Sequence, residues 1–205
     1  VYNKAKGFDQ NHNAGDIILN NCTGITHTSV LASSSDKTYS YRIYEAIASG
    51  HEVRLTNCIA INDNADTDKA NVTSDGHGKQ SSYGRFEVDE SLSGLTVTNC
   101  EFQKAHPDFF IDITNHEELV GPRDEDGNLP ETTFAHIKGN ASHTYNNGTT
   151  ETSESLLIDR GVKIDATTYR GIEIAGIEYV SEAPDLGAYE YDGEMSNGLR
   201  VVSQE

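Results

Sequence analysis

A run of polar side chains near the start of the chain is the densest set of groups that could do chemistry. It offers one ammonium, one carboxylate, an imidazole and three amides, on Lys6, Asp9, Gln10, Asn11, His12 and Asn13. Such groups on one turn could form a wall that contacts a polar ligand or supports a metal ion, with candidate binding residues at Lys6, Asp9, Asn11 and Asn13. The alternative is a structural turn, in which carboxylate and amide side chains bond to the backbone.

Two acidic loops carry carboxylates that could gather calcium. Asp124 and Asp126 alternate on a turn that reaches Gly127, and a second loop carries Asp63, Asp66 and Asp68. The first loop lacks the bidentate Glu that closes an EF-hand, because Ala135 stands at that position. The sequence therefore favours solvated acidic turns over calcium sites and assigns no metal ligands.

Charge and motif content exclude several functional classes. The formal net charge is −18, from 15 basic and 33 acidic residues, so nucleic acids and anionic membrane surfaces would be repelled. No apolar run is long enough for a membrane helix, and residues 1–7 contain no apolar signal-peptide core. The 8 His and 3 Cys form no zinc-type pair, and neither a phosphate-binding glycine loop nor a serine-nucleophile elbow occurs.

Three Asn-Cys pairs mark an internal repeat. Each pair closes a short alternating segment, at Cys22, Cys58 and Cys100. In each copy apolar residues stand three and five positions before the Cys, which is the period of a strand with one buried face. Because identity and register recur together, we expect Asn21, Asn57 and Asn99 to form a side-chain amide ladder, beside small, buried, unpaired cysteines.

The spacing of the copies predicts an all-β fold, specifically a right-handed parallel β-helix with an irregular C-terminal cap. The Cys-to-Cys intervals of 36 and 42 residues leave room for further strands, and Tyr39–Ile43 and Gly84–Val88 alternate between the copies. We expect the rungs of the parallel β-helix over residues 1–114 and a loop-rich cap over residues 115–205. Closing strands are expected in the cap at 155–161 and 183–190. An open first rung at residues 1–25 predicts self-association.

The segment Lys6-Gly-Phe-Asp-Gln-Asn-His-Asn13, followed by Gly15 and the first Asn-Cys strand, resembles the hallmark segment of the family 9 pectate lyases. Those proteins are secreted bacterial parallel β-helix enzymes. Later segments resemble the C-terminal end that this family shares with other bacterial β-helix proteins, namely Pro122-Arg, Asp126-Gly-Asn-Leu-Pro130, Leu157-Ile-Asp-Arg-Gly161 and Ala183-Pro-Asp-Leu-Gly-Ala-Tyr-Glu190.

The resemblance implies calcium-dependent β-elimination of polygalacturonate by a bacterial protein that is secreted, periplasmic or on the cell surface. Family members carry their catalytic base in a Gly-Phe-Lys element and their calcium ligands in an Asp-rich element, both upstream of the hallmark segment. Here Gly7-Phe8 is followed by Asp9, so no residue inherits the role of the base, and the base and main calcium site are expected outside this chain. The alternative function is a non-catalytic carbohydrate-binding or structural β-helix module.

Overall fold

The computed structural model describes residues 2–3, 6–10, 15–26, 39–62, 86–88, 91–102, 109, 125, 140–153 and 155–191. These residues form short strands joined by turns, and no α-helix occurs among them, so the predicted all-β class is confirmed. The strands are β1 (Tyr2–Asn3), β2 (Lys6–Asp9), β3 (Ile17–Asn20), β4 (Thr23–Thr26), β5 (Tyr39–Ile43), β6 (Val53–Thr56), β7 (Ile59–Asn62), β8 (Phe86–Val88), β9 (Leu95–Thr98), β10 (Glu101–Phe102), β11 (Ser142–Thr144), β12 (Thr150–Thr152), β13 (Thr167–Tyr169) and β14 (Ile172–Ile174).

Three parallel sheets contain the first ten strands. Their strand orders are β2-β5-β8, β3-β6-β9 and β1-β4-β7-β10, so every third strand returns to the same sheet. In the middle sheet Ile17 pairs with Val53 and Val53 with Leu95. Equivalent residues of the predicted repeat therefore pair in the same register, and they lie 36 and then 42 positions apart in the sequence.

An Asn in left-handed conformation turns the chain between two sheets in each copy. The φ angles are 46° at Asn21, 53° at Asn57 and 48° at Asn99. Asn tolerates this region better than most residues with a side chain, which explains why the same residue recurs at the corner. The corner turns the backbone from β3 into β4, from β6 into β7 and from β9 into β10.

The apolar core lies inside these sheets and includes the cysteines. Tyr41, Val53, Leu55 and Cys58 are fully buried, and Cys22 and Cys100 pack against this cluster. All three cysteines are free, as predicted. The hydrogen bond shared with the Cys100 thiol, together with burial, raises the pKa of Cys58 to about 12. The Cys58 thiol therefore acts as a small, neutral core group.

We expect Cys58→Ser to lower the free energy of unfolding by about 1–3 kcal/mol, because a hydroxyl in this site is more costly to bury than a thiol. Cys58 Sγ lies 3.4 Å from the carbonyl oxygen of Thr56 and 3.5 Å from that of Leu19, which are distances suited to sulfur and too long for a hydroxyl. Chemical denaturation measures the change. An unchanged unfolding midpoint would contradict the buried position of Cys58.

The C-terminal part contains two antiparallel hairpins and two irregular segments. β11 pairs with β12, and β13 pairs with β14. Where closing strands are expected, at 155–161 and 183–190, the chain forms turns and bends. The expected boundary near residue 114 lies outside the described residues.

The irregular C-terminal segments dock on the Asn corners. The Asn57 side-chain amide donates to Asn21 Oδ1 at 2.9 Å and to the Val162 carbonyl oxygen at 2.8 Å, and its Oδ1 accepts the Val162 N–H at 2.9 Å. Asn21 donates to the Asp185 carbonyl oxygen and Asn99 to that of Arg160. The predicted amide ladder is present between Asn21 and Asn57, and the corner also binds the backbone of the C-terminal segment.

Candidate functional site

The structure places only part of the predicted binding wall. Lys6 and Asp9 bound strand β2, where Lys6 pairs with Tyr39 and Asp9 pairs with Arg42. Asn11 and Asn13 lie outside the described residues, as do the acidic loop at 63–68 and the two aspartates at 124 and 126. The site can therefore be built from Asp9 and its neighbours.

Asp9 forms a charged and aromatic patch with one residue of β5 and the residue that follows that strand. Asp9 Oδ1 lies 3.9 Å from Arg42 NH1, and the Arg42 guanidinium carbon lies 4.0 Å from the centre of the Tyr44 ring. The side chains of Arg42 and Asp9 are 10% and 13% exposed. We call Asp9, Arg42 and Tyr44 the Asp9 patch. It joins a buried cation to an aromatic face.

Gln10 fits the structural-turn interpretation of the polar run. Its side chain is buried, and its Oε1 accepts the backbone N–H groups of Tyr44 and Glu45 at 3.2 Å and 2.9 Å. Its Nε2 donates to the Glu45 carbonyl oxygen at 3.1 Å. Gln10 thus satisfies the backbone of the turn that follows β5 and holds that turn beside the Asp9 patch.

A second polar cluster, which the sequence did not predict, surrounds Asp16. Its carboxylate accepts the Glu52 backbone N–H at 2.8 Å and the Tyr169 hydroxyl at 2.9 Å. His51 Nδ1 and Arg170 Nε lie 3.0 Å and 3.2 Å from its other oxygen. We call Asp16, His51, Glu52, Tyr169 and Arg170 the Asp16 network.

The β13–β14 hairpin delivers two members of the Asp16 network. Arg170 and Gly171 form a two-residue connection with φ angles of 49° and 81°, as a type I′ turn requires. Arg170 also donates to the Gly50 carbonyl oxygen. The sequence signal was weak, because Tyr169 lies 153 residues from Asp16 and belongs to no repeat. The available sequence signal was that an acidic residue opens each of the first two copies, Asp16 in one and Glu52 in the other.

The Asp16 carboxylate is strongly stabilised as an anion. The backbone hydrogen bond from Glu52, with further help from Tyr169, His51 and Arg170, lowers the pKa of Asp16 from 3.8 to about 2. Because the pKa is lower in the folded state, this contribution to stability is present above pH 3.8 and is lost as the pH falls through about 2.

We expect Asp16→Asn to lower the thermal unfolding midpoint at neutral pH for two reasons. The single amide oxygen cannot accept from all four donors, and an uncharged amide does not attract the Arg170 guanidinium. The difference between the two proteins should shrink as the pH falls from 4 toward about 2, where Asp16 becomes protonated. Scanning calorimetry over this range measures it. A difference that stays constant down to the lowest pH would contradict the role of the charge.

Two buried carboxylates organise the C-terminal segment. Asp185 accepts the backbone N–H groups of Asp159 at 2.8 Å and Tyr191 at 2.6 Å. Glu190 accepts those of Val180 and Asp185, both at 3.1 Å. Burial raises the pKa of Asp185 to about 7, against the lowering effect of these hydrogen bonds. Both side chains are engaged with the backbone, so their role is structural.

Comparisons with known proteins leave the geometry as the main guide to function. No family model, curated protein or solved structure matches this chain. Across the described ranges, no group of three or more His, Cys, Asp or Glu side chains is arranged to hold a metal ion. Nor does any helix there have the length and apolar character needed to cross a membrane.

Proposed function

We propose that the chain forms a right-handed parallel β-helix and acts on polygalacturonate as a pectate lyase-like protein. The helix proposal is supported by three parallel sheets in which every third strand returns to the same sheet, with one register through all copies. A stack of this kind exposes long sheet faces along which a polymer can lie. The sequence resemblance supports polygalacturonate as the substrate class and a bacterial protein that is secreted, periplasmic or on the cell surface.

The Asp9 patch is the observation that carries the proposal. Strand β2, which holds the hallmark residues Lys6 and Asp9, pairs with β5, and Asp9 faces Arg42 at 3.9 Å. The 10% of the Arg42 side chain that is exposed can meet a sugar carboxylate, and the half-buried Tyr44 ring beneath the guanidinium can pack its edge or other face against a sugar. The hallmark segment is thus joined to a cation and an aromatic ring from the neighbouring rung.

The reaction requires two further groups. β-Elimination removes the proton beside the uronate carboxylate, and it needs a base for that proton and a cation that neutralises the carboxylate. A calcium ion would also bridge the acidic polymer to a protein whose net charge is −18. In this proposal the base and the main calcium site lie outside the chain.

Formation of the unsaturated uronide product, which absorbs in the ultraviolet, tests the lyase part. We expect calcium-dependent product when the chain is joined to the residues that its gene encodes upstream, and no product from the 205 residues alone. Product from the chain alone would place a base within it. No product from the longer polypeptide, with binding intact, would favour the second function.

The second candidate is a non-catalytic carbohydrate-binding module. It is favoured by the pairing of Asp9 with Arg42, because a carboxylate that is paired with a cation is a weak base for proton removal. The same pair can still orient a bound sugar. A module of this kind would bind galacturonate oligomers with calcium but form no product in any length of polypeptide. Equal binding of neutral galactose oligomers would count against both candidates.

A further inference from the structure

His51 presents one ring nitrogen to solvent in a fixed orientation. Its Nδ1 lies 3.0 Å from Asp16 Oδ2, and its side chain is 37% exposed. Asp16 is ionised, because its pKa is lowered to about 2, and a carboxylate only accepts, so when the His51 ring is neutral its proton lies on Nδ1. Nε2 is then an acceptor, and among the residues that the structure describes it has no hydrogen-bond partner.

Arg54 presents donors beside the same network. Its Nε lies 3.1 Å from Glu52 Oε1, but Nε is buried and no acceptor in the described part of the chain is aligned with it, so the contact is an ion pair without a hydrogen bond. The guanidinium carbon lies 5.4 Å from the centre of the Tyr169 ring. The side chain is 36% exposed, and among the residues that the structure describes it contacts Glu52 and Tyr169. Its terminal amino groups are therefore available as donors.

We propose that His51 and Arg54 form a binding subsite for one uronate unit. His51 contacts Asp16, Arg54 lies over the Tyr169 ring, and Tyr169 and Asp16 are hydrogen-bonded to each other, so a donor fork and a lone acceptor flank the same pair. A uronate carries the matching groups on one ring: a carboxylate that accepts from Arg54 and a hydroxyl that donates to His51 Nε2. The negative charges of Asp16 and Glu52 are offset by Arg170 and Arg54, so the subsite does not repel an anion. The choice of a uronate rests on the proposed function.

Proton NMR of the His51 ring tests the subsite directly. The His51 Hε1 resonance is identified by its absence from the spectrum of His51→Gln, and galacturonic acid and galactose are then titrated into the folded chain. We expect a saturable shift with galacturonic acid and little shift with galactose. Arg54→Gln should weaken the binding of galacturonic acid about tenfold, through loss of a charge-assisted hydrogen bond.

Lys163→Gln is the matched control, because it removes one positive charge from the C-terminal segment at a side chain that is 61% exposed and paired with Asp165. Its affinity should equal that of the unaltered chain. If the His51 resonance does not move, or if Arg54→Gln binds as well as Lys163→Gln, the subsite is wrong. If galacturonic acid moves the His51 resonance but polygalacturonate does not bind, the subsite stands and the proposed function fails.

Discussion

Asn57→Ala is expected to lower the free energy of unfolding by about 3–5 kcal/mol, because several buried groups would lose their partners at once. The side chain is fully buried and bonds to Asn21 Oδ1 and to both the N–H and the carbonyl oxygen of Val162. Alanine would also have to hold a φ of 53°, which an L residue without a hydrogen-bonding side chain adopts at a cost. Urea denaturation at neutral pH measures the change.

Asn99→Ala is the matched control for this substitution. Asn99 has nearly the same φ, 48°, but its side chain donates one exposed hydrogen bond, to the Arg160 carbonyl oxygen. The backbone cost is shared, so the difference between the two variants isolates the buried hydrogen bonds. We expect a loss of about 1–2 kcal/mol for Asn99→Ala. Equal losses for the two variants would show that the left-handed backbone alone explains both, and that the docking role of Asn57 is wrong.

Gly187→Ala should also lower the free energy of unfolding strongly, by about 2–5 kcal/mol, because it separates the C-terminal segment from the strands. Gly187 has a φ of 92° and donates its N–H to the Asn57 carbonyl oxygen at 2.7 Å. A Cβ there would lie 2.6 Å from Thr23 Oγ1 and 2.8 Å from Ile59 Cδ1. The same Thr23 oxygen accepts the Ala188 N–H at 2.9 Å, so relief of the clash would break that hydrogen bond.

Gly148→Ala separates backbone strain from crowding. Gly148 has a φ of 82°, and a Cβ at this position would meet nothing within 4 Å. Gly148→Ala should therefore lower the free energy of unfolding only by the cost of the left-handed backbone conformation, about 1–2 kcal/mol. Hydrogen exchange adds a local readout: Gly187→Ala should expose the amides of Gly161 and Leu186, which donate to Pro184 and Leu157, while Gly148→Ala should not. Unchanged protection in Gly187→Ala would contradict the close docking.

The sequence predicted the repeating part of the fold well because its information is local and is repeated. The alternating pattern before each cysteine predicted β3, β6 and β9 and the register between them. The recurring Asn predicted the amide ladder, which is present between Asn21 and Asn57, but the left-handed corner that the same residues form was not predicted. The free cysteines followed from the same alternation, although only Cys58 is fully buried and Cys22 and Cys100 are partly buried.

The contacts of the C-terminal segment could not be predicted in the same way. Val162 meets Asn57 across 105 residues, and Asp185 meets Asn21 across 164, and in both cases backbone groups of the distant segment take part. Every residue has the same backbone groups, so no residue type in the sequence predicts where the C-terminal segment docks. The Asp16 network is similar, because Tyr169 and Arg170 reach Asp16 only through the placement of a hairpin. Of the predicted binding residues, Asp9 has a described partner in Arg42.

Calorimetric titration of a saturated galacturonate oligomer into the folded chain tests the central claim most directly. The measurement is made once with calcium and once with a chelator, and a galactose oligomer of the same length is the control. We predict saturable binding of the galacturonate oligomer that is strengthened by calcium, because a bridging cation reduces the repulsion between an acidic protein and an acidic polymer. Absence of binding in calcium, or equal binding of the galactose oligomer, would contradict the claim that this chain engages an acidic polysaccharide.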